Sequence, residues 1–199
     1  MDLPMSIEAL KSYLPENALS FLKIWFADYP IHIKITRNRN SKLGDYRKMP
    51  DNSHQITINS TLEPDLFFFV LTHELAHLIA FEKFGRRISA HGNEWKTTFA
   101  QMILDSLEIY PQDLQLILKK FSKSPKANFM SSSDLVRYFH FDQLKDDEVF
   151  VESLQIGDRF MYREDAYKVE QKRKKLYLCI NSTNAKKYLF KPLAKVQKV

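Results

Sequence analysis

Glu63-Pro64-Asp65-Leu66-Phe67-Phe68-Phe69-Val70-Leu71-Thr72-His73-Glu74-Leu75-Ala76-His77 is the stretch on which the fold turns. Pro64 suits the first turn of a helix, where its missing N–H is not needed, and Asp65 meets the positive end of the helix dipole. The pattern predicts a helix that starts near Glu63 and stops at Gly85. Leu66 to Leu71 are apolar all round, so the helix is expected to be central and buried. An apolar run of that length is far too short to span a bilayer. Into this apolar setting the chain places three polar side chains, His73, Glu74 and His77.

Residues i and i+4 share one helix face, so the imidazoles of His73 and His77 can reach one metal ion. Glu74 projects about 100° away from His73. Its carboxylate then lies beside the ion, where it can take a proton from an attacking water. A chance match to this pattern, from 6 His and 11 Glu in the chain, is expected roughly 0.01 times. Polar groups in an apolar helix are also costly unless paired or metal-bound.

A catalytic zinc site takes three protein ligands and leaves one position open. The metzincin spacing needs glycine where this chain has Ala80 and histidine where it has Lys83, so that subclass is excluded. His91, a short loop beyond Gly85 and at the mouth of the next helix, is the best-placed third ligand; Glu94 competes with it.

Working outward, Ala18, Phe21, Leu22 and Trp25 recur at helical spacing within an N-terminal helical region broken at Pro15 and ended by Pro30. Ile31 to Thr36 alternate strictly, as a half-buried strand does. Leu43–Met49 and Gln55–Asn59 read as two further strands, and the three together predict a small antiparallel sheet. Helices are expected after Gly92-Asn93 and around Asp113–Phe121. Ser122 to Ser133 turn to Ser, Lys, Pro and Asn, as a linker does, and Leu135–Phe141 fit one or two helical turns. Beyond them the period becomes two. Segments near 148–154, 158–163, 166–172, 175–181 and 186–191 predict five short strands, enough for a small closed barrel of SH3-like size. The expected fold class is therefore α+β, with a catalytic domain over 1–121, a connecting segment over 122–147 and a basic all-β domain over 148–199.

The 199 residues include one cysteine, Cys179, so neither an intrachain disulfide nor a thiolate-rich zinc ribbon can form. With reduced thiols and no basic-then-apolar leader in Met1-Asp2-Leu3-Pro4, the chain is expected to be soluble and cytoplasmic. No membrane partner is expected; the sequence leaves the oligomeric state open, with a monomer favoured. The formal charge is +6, but it is not evenly spread: residues 154–199 hold 12 Lys/Arg against 4 Asp/Glu, and residues 1–153 hold 18 against 20. Such asymmetry fits a polyanion partner or a merely solvated basic face.

His73-Glu74-Leu75-Ala76-His77, followed by His91-Gly92-Asn93-Glu94-Trp95-Lys96, resembles the SprT-like metalloprotease family, whose pattern is HExxH and then HGxxW plus a basic residue. Lys42 to Arg47 and Ile56 to Asn59 resemble the strand pair that precedes the zinc helix in that family, and the likeness covers roughly residues 15–121. It implies a zincin-like catalytic domain with one Zn²⁺ on His73, His77 and His91, and Glu74 as general base. Relatives that include Spartan cut proteins crosslinked to DNA, which implies a protein substrate and a DNA-associated role. This chain departs from many members in lacking a C-terminal zinc ribbon; a basic β module stands in its place.

Two functions from different classes follow. The first is a single-zinc endopeptidase with a basic module that recruits substrate, DNA included. The second is a nucleic-acid-binding protein whose zinc site is structural or vestigial. A structural site has no use for a carboxylate directly after its first ligand, so Glu74 favours the enzyme. Tyr46 and Arg47 are candidates for stabilising the oxyanion, with packing and solvation as their ordinary roles. Lys34, Arg37, Arg39, Lys42, Arg47 and Lys48, on what reads as the first hairpin, could meet a phosphate backbone. Lys172-Arg173-Lys174-Lys175, with Tyr167, Tyr177, Tyr188 and Phe190 around it, suits single-stranded nucleic acid, although barrel packing claims at least half of those rings. His32, His54 and His140 read as surface or packed histidines, and Cys179 as a packed residue.

Overall fold

The computed structural model describes residues 7–26, 29–39, 42–128, 131–141 and 147–199, with the side chains of His140 and Phe141 outside that description. The chain divides into two compact units, Met1–Phe129 and Met130–Val199. It is α+β. One helix among the described residues, Pro64–Phe84, is long and apolar enough to cross a membrane, and most of it is buried inside its own unit, as a core helix is.

In the first unit a 3₁₀ segment, Ile7–Tyr13, precedes α1 (Ala18–Phe26), and three strands follow: β1 (Ile31–Thr36), β2 (Gly44–Lys48) and β3 (His54–Asn59). Next come α2 (Pro64–Phe84), α3 (Asn93–Asp105) and α4 (Gln112–Ser122). Helix α2 is the hub. Its apolar first half is buried from Leu66 to Leu71 because each face meets a different neighbour. Phe67 stacks on Tyr13, Phe68 on Trp25 of α1, and Phe69 meets Phe99 of α3 and Phe121 of α4. The sheet side of α2 packs against β2 and β3. Gly85 ends the helix at φ +80°, a left-handed conformation that favours glycine, and its N–H reaches the Phe81 carbonyl.

The expected antiparallel sheet is corrected to a mixed one. Its order is β1-β3-β2, with β1 parallel to β3 and β2 antiparallel to it. Alternation fixes which face of a strand is buried but not which strand lies beside it, so pairing in sequence order was only the simplest assumption. Strand β3 takes the middle place; His54, Ile56 and Ile58 on one of its faces are buried, while Gln55 and Thr57 on the other are half-buried. The tight turn Met49–Ser53, where Asn52 takes φ 64°, joins β2 to β3 and makes that pair the hairpin. The segment from Lys34 to Lys48 is therefore no hairpin; its two strands flank β3. Strand β2 is left as a sheet edge.

The second unit begins with α5 (Ser133–Phe141), within the stretch expected to connect the domains. Arg137 of α5 grips Glu152 through two hydrogen bonds of 2.8 and 2.9 Å. Six strands follow, β4 (Glu148–Phe150), β5 (Arg159–Tyr162), β6 (Asp165–Lys172), β7 (Tyr177–Asn181), β8 (Lys187–Phe190) and β9 (Lys195–Lys198). They form one antiparallel sheet in the order β4-β9-β5-β6-β7-β8 around Val151, Phe160, Tyr167, Val169, Tyr177, Cys179, Phe190 and Val196. Strand β9 adds a sixth to the five expected. Among the described residues no ladder joins β8 to β4, so the hydrogen-bonded order is open where a closed barrel was expected. Five short alternating segments fix how many residues face inward; they do not specify whether the two end strands meet.

Candidate metal centre

Helix α2 carries His73 and His77 one turn apart, and the turn at Ser89–Gly92 returns the chain to them with His91. Gly92 suits the turn, since a Cβ there would crowd Ser89 Cβ at 3.1 Å and Glu94 Oε2 at 3.0 Å. One ring nitrogen from each of His73, His77 and His91 lies within 4.8 Å of the others. Glu94, the competing third ligand, is not in this group; its carboxylate folds back toward Gly92.

The Nε2 atoms of His73 and His77 are 3.3 Å apart. Two imidazoles on one tetrahedral zinc, each at about 2.0–2.1 Å, would hold their nitrogens about 3.3–3.4 Å apart. The His91 Nε2 is buried and has no hydrogen-bond partner among the described residues. A buried, unpaired ring nitrogen costs about 1–3 kcal/mol, a cost that a coordinated cation removes. The Ala90 backbone carbonyl accepts a hydrogen bond from the His77 ring, which favours a lone pair on its other nitrogen, the one facing His73. Three neutral nitrogen donors, one of them orphaned, fit a zinc ion.

The electrostatics point the same way. Burial, reinforced by His77 and His91, lowers His73 to about 3. Burial and then His91 lower His77 to about 4, against the pull of the Ala90 carbonyl, and burial also lowers His91. All three rings are therefore neutral near pH 7, with lone pairs free for a metal.

Glu74 faces β2, whose Gly44 lies against it, and is only 8% exposed. Burial, then the charge of Asp45, pushes its carboxyl up to about 8; Lys42, Arg39 and the Tyr46 backbone N–H pull in the opposite direction. A dication nearby would favour the carboxylate further. Gly44 makes this approach possible, because a Cβ there would lie 2.7 Å from Glu74 Oε1 and 2.8 Å from Val70 Cγ1. Glycine is the one residue that lets the strand run this close to the helix.

Trp95, fully buried, holds the three histidines together. Its ring is 4.7 Å from His73, 5.3 Å from His77 and 4.6 Å from His91, and its indole N–H points at the His73 carbonyl at 3.4 Å. Trp95→Ala is expected to cost about 3–5 kcal/mol in urea unfolding of the zinc-free chain. A cost below about 1 kcal/mol would show that the site does not depend on this ring.

Residues 24–111 match the SprT-like family. The matched segment contains His73, Glu74, His77, His91 and Trp95, and it ends before the second unit begins. The SprT-like family is generally associated with metallopeptidases and implies a bound metal, zinc in the first instance. No curated protein and no solved structure matches the chain.

Other sequence candidates fall elsewhere. His32 is exposed on β1, and the His140 side chain lies outside the described residues. Cys179 is buried in β7, where burial raises its thiol to about 11, so it stays protonated as a packed residue. Much of the basic cluster between Lys34 and Lys48 is committed within the unit. Arg39 bonds Asn59 and Thr57, Lys42 and Arg47 both pair with Asp45, and Lys48 pairs with Glu82. In the second unit Tyr167, Tyr177 and Phe190 belong to the core, which leaves Tyr188 as the exposed ring of the four. A cluster that sequence inspection missed lies beside the metal centre: His54, Lys48, Glu82 and Tyr46. Glu82, two turns beyond Glu74 and on the side of α2 facing β2, was its one sequence signal.

Proposed function

We propose that this chain is a zinc-dependent endopeptidase of the SprT-like kind. The observation that carries this is the convergence of the His73, His77 and His91 nitrogens on one helix–turn, with the buried Glu74 carboxyl on the residue between. His73, His77 and His91 would hold the ion. A bound zinc supplies Lewis acidity at the scissile carbonyl. Glu74 takes a proton from the water whose oxygen attacks the carbonyl carbon, and passes it to the leaving amine. Its apolar surroundings and the approach of β2 keep the carboxyl ready to hold that proton near neutral pH. Edge strand β2 offers backbone to an extended peptide, a mode of binding that would give loose sequence preference.

The decisive experiment gives the zinc-loaded chain an unfolded protein, and a protein crosslinked to DNA, with and without single- and double-stranded DNA. Cleavage that a chelator stops and added zinc restores is expected. A chain that holds zinc and cuts none of these substrates would leave the nucleic-acid-binding alternative, with a structural metal.

DNA is proposed as the recruiting partner on the strength of the basic excess in residues 154–199, including the exposed Lys172-Arg173-Lys174-Lys175 at the β6–β7 turn. Each phosphate contact adds about 0.9 to the slope of log K against log salt. Replacing these four by alanine in the full chain should lower that slope by up to about 4, uniformly across sequences. An unchanged slope would remove this turn from the DNA interface. Cytoplasmic residence fits a chain whose single thiol is free and buried.

A further inference from the structure

His54 is 1% exposed, yet both of its ring nitrogens are in polar contact. Lys48 Nζ lies 3.2 Å from Nε2, and the Tyr46 hydroxyl oxygen lies 3.1 Å from Nδ1. Lys48 is held in turn by Glu82 at 2.8 Å, and the same carboxylate oxygen is 3.5 Å from His54 Nε2. An ammonium is a donor only, so the short Lys48 contact requires Nε2 to accept. The imidazole proton then sits on Nδ1, and it points at Tyr46. Placing it on Nε2 instead, toward the more distant Glu82, would set N–H against the ammonium. With Nδ1–H donating, the Tyr46 oxygen is an acceptor in this contact, and its own hydrogen is free for another acceptor.

Tyr46 is also next to the metal centre. Its ring lies parallel to that of His77, with centroids 6.2 Å apart and planes 4° apart, and its backbone N–H favours the Glu74 carboxylate. The residue thus joins the hairpin cluster to both the metal-facing helix and the proposed base.

We propose that the Tyr46 hydroxyl donates a hydrogen bond to the scissile carbonyl oxygen as negative charge develops there, and that His54, fixed by Lys48 and Glu82, positions it. The role rests on the peptidase reading above. No proton leaves Tyr46; the hydrogen bond strengthens as the carbonyl oxygen becomes anionic. A tyrosine hydroxyl keeps its hydrogen throughout the neutral range. Tyr46 would be a catalytic residue, and His54 and Lys48 positioning residues.

The first test needs no activity. In the zinc-free full chain, ¹⁵N NMR of the imidazoles should show His54 neutral, with its proton on Nδ1. A proton on Nε2 overturns the proposal, because Tyr46 would then spend its hydrogen on His54. The second test is Tyr46→Phe, which keeps the ring and its packing. It should retain one zinc per chain, lose about 10²-fold in kcat and change KM by less than about 3-fold. It should also bind a phosphinic peptide, which mimics the tetrahedral state, about 10²-fold more weakly. Unchanged kcat and phosphinate binding would overturn the donor role, and so would loss of zinc from the variant, which would make Tyr46 structural. A wild-type chain that holds zinc and cleaves nothing refutes the peptidase reading by itself; the His54 tautomer then still decides whether Tyr46 has a hydrogen to give.

Discussion

Glu74→Gln is expected to leave the chain folded with about one zinc bound, and to cut protein cleavage by about 10²–10⁴-fold. Glutamine matches the shape of glutamate and keeps an oxygen for the Tyr46 N–H, but it cannot accept and return a proton. Because β2 runs so close to this side chain that even a Cβ on Gly44 would not fit, the isosteric change is also the one the site can accommodate. Cleavage within a few-fold of wild type would refute the base role. The same pair of proteins carries a second, independent readout in the zinc-free state. Burial raises Glu74 to about 8 in the folded chain, well above its unfolded value near 4.5. The folded state therefore binds more protons than the unfolded state between those values, and stability contributed by this group falls as pH rises through that window. His73 and His77, lowered to about 3 and 4, act oppositely: they make the chain gain stability as pH rises from there to about 6.5. Both proteins share the histidines, so the difference between their urea midpoints isolates Glu74. The variant should gain on wild type from about pH 4.5 to 8 and keep a constant lead above that. A difference that does not vary with pH would mean the carboxyl is better solvated than its surroundings indicate. Adding zinc should shrink the slope, since a dication favours the carboxylate.

The parts of this site that could be read from the sequence are those written at a fixed spacing along one element. The i, i+4 relation of His73 and His77 is a property of any α-helix, and the apolar run from Leu66 to Leu71 announced that this helix would be interior. Pro64 and Gly85 bound it because one lacks an N–H and the other tolerates φ +80°. The choice between His91 and Glu94 was harder, because a loop has no periodicity. The Ser89–Gly92 turn resolves the geometry by bringing the His91 ring to the other two while turning Glu94 back on itself. The order of strands escaped the sequence altogether. His54 to Asn59 and Ile31 to Thr36 alternate in the same way, and nothing in that alternation says that β3 will enter between β1 and β2. That insertion brings His54 and Tyr46 together over α2, so the His54–Lys48–Glu82 cluster was hidden for the same reason as the parallel pairing. In the basic module, packing was expected to claim at least half of the four rings, and Tyr167, Tyr177 and Phe190 are in the core. Tyr188 shares a strand face with Phe190, yet on the end strand β8 it remains partly exposed. A stacking surface made of four aromatic rings is thus reduced to one, and charge carries the case for nucleic acid.

His91→Phe separates the metal from the packing. The wild-type ring makes edge-on contacts with Trp95 and His77, both at 4.6 Å, which a phenyl ring can reproduce. What it removes is the buried Nε2 that finds no partner among the described residues. Without metal that nitrogen is a liability of about 1–3 kcal/mol, so its loss offsets the strain of a slightly larger ring. The zinc-free variant should therefore unfold within about 1 kcal/mol of wild type. With zinc the order reverses. A ligand that binds only the folded chain stabilises it by about 4 kcal/mol at a thousand times its dissociation constant. Wild type should gain that much, while the variant, with two histidines left, gains little at the same free zinc and cleaves no substrate. Equal zinc-induced stabilisation of the two proteins would show that His91 is not a ligand and would return Glu94 to consideration. A large loss of stability without zinc would instead mean that the His91 nitrogens already have partners in the folded chain, against the geometry of the Ser89–Gly92 turn.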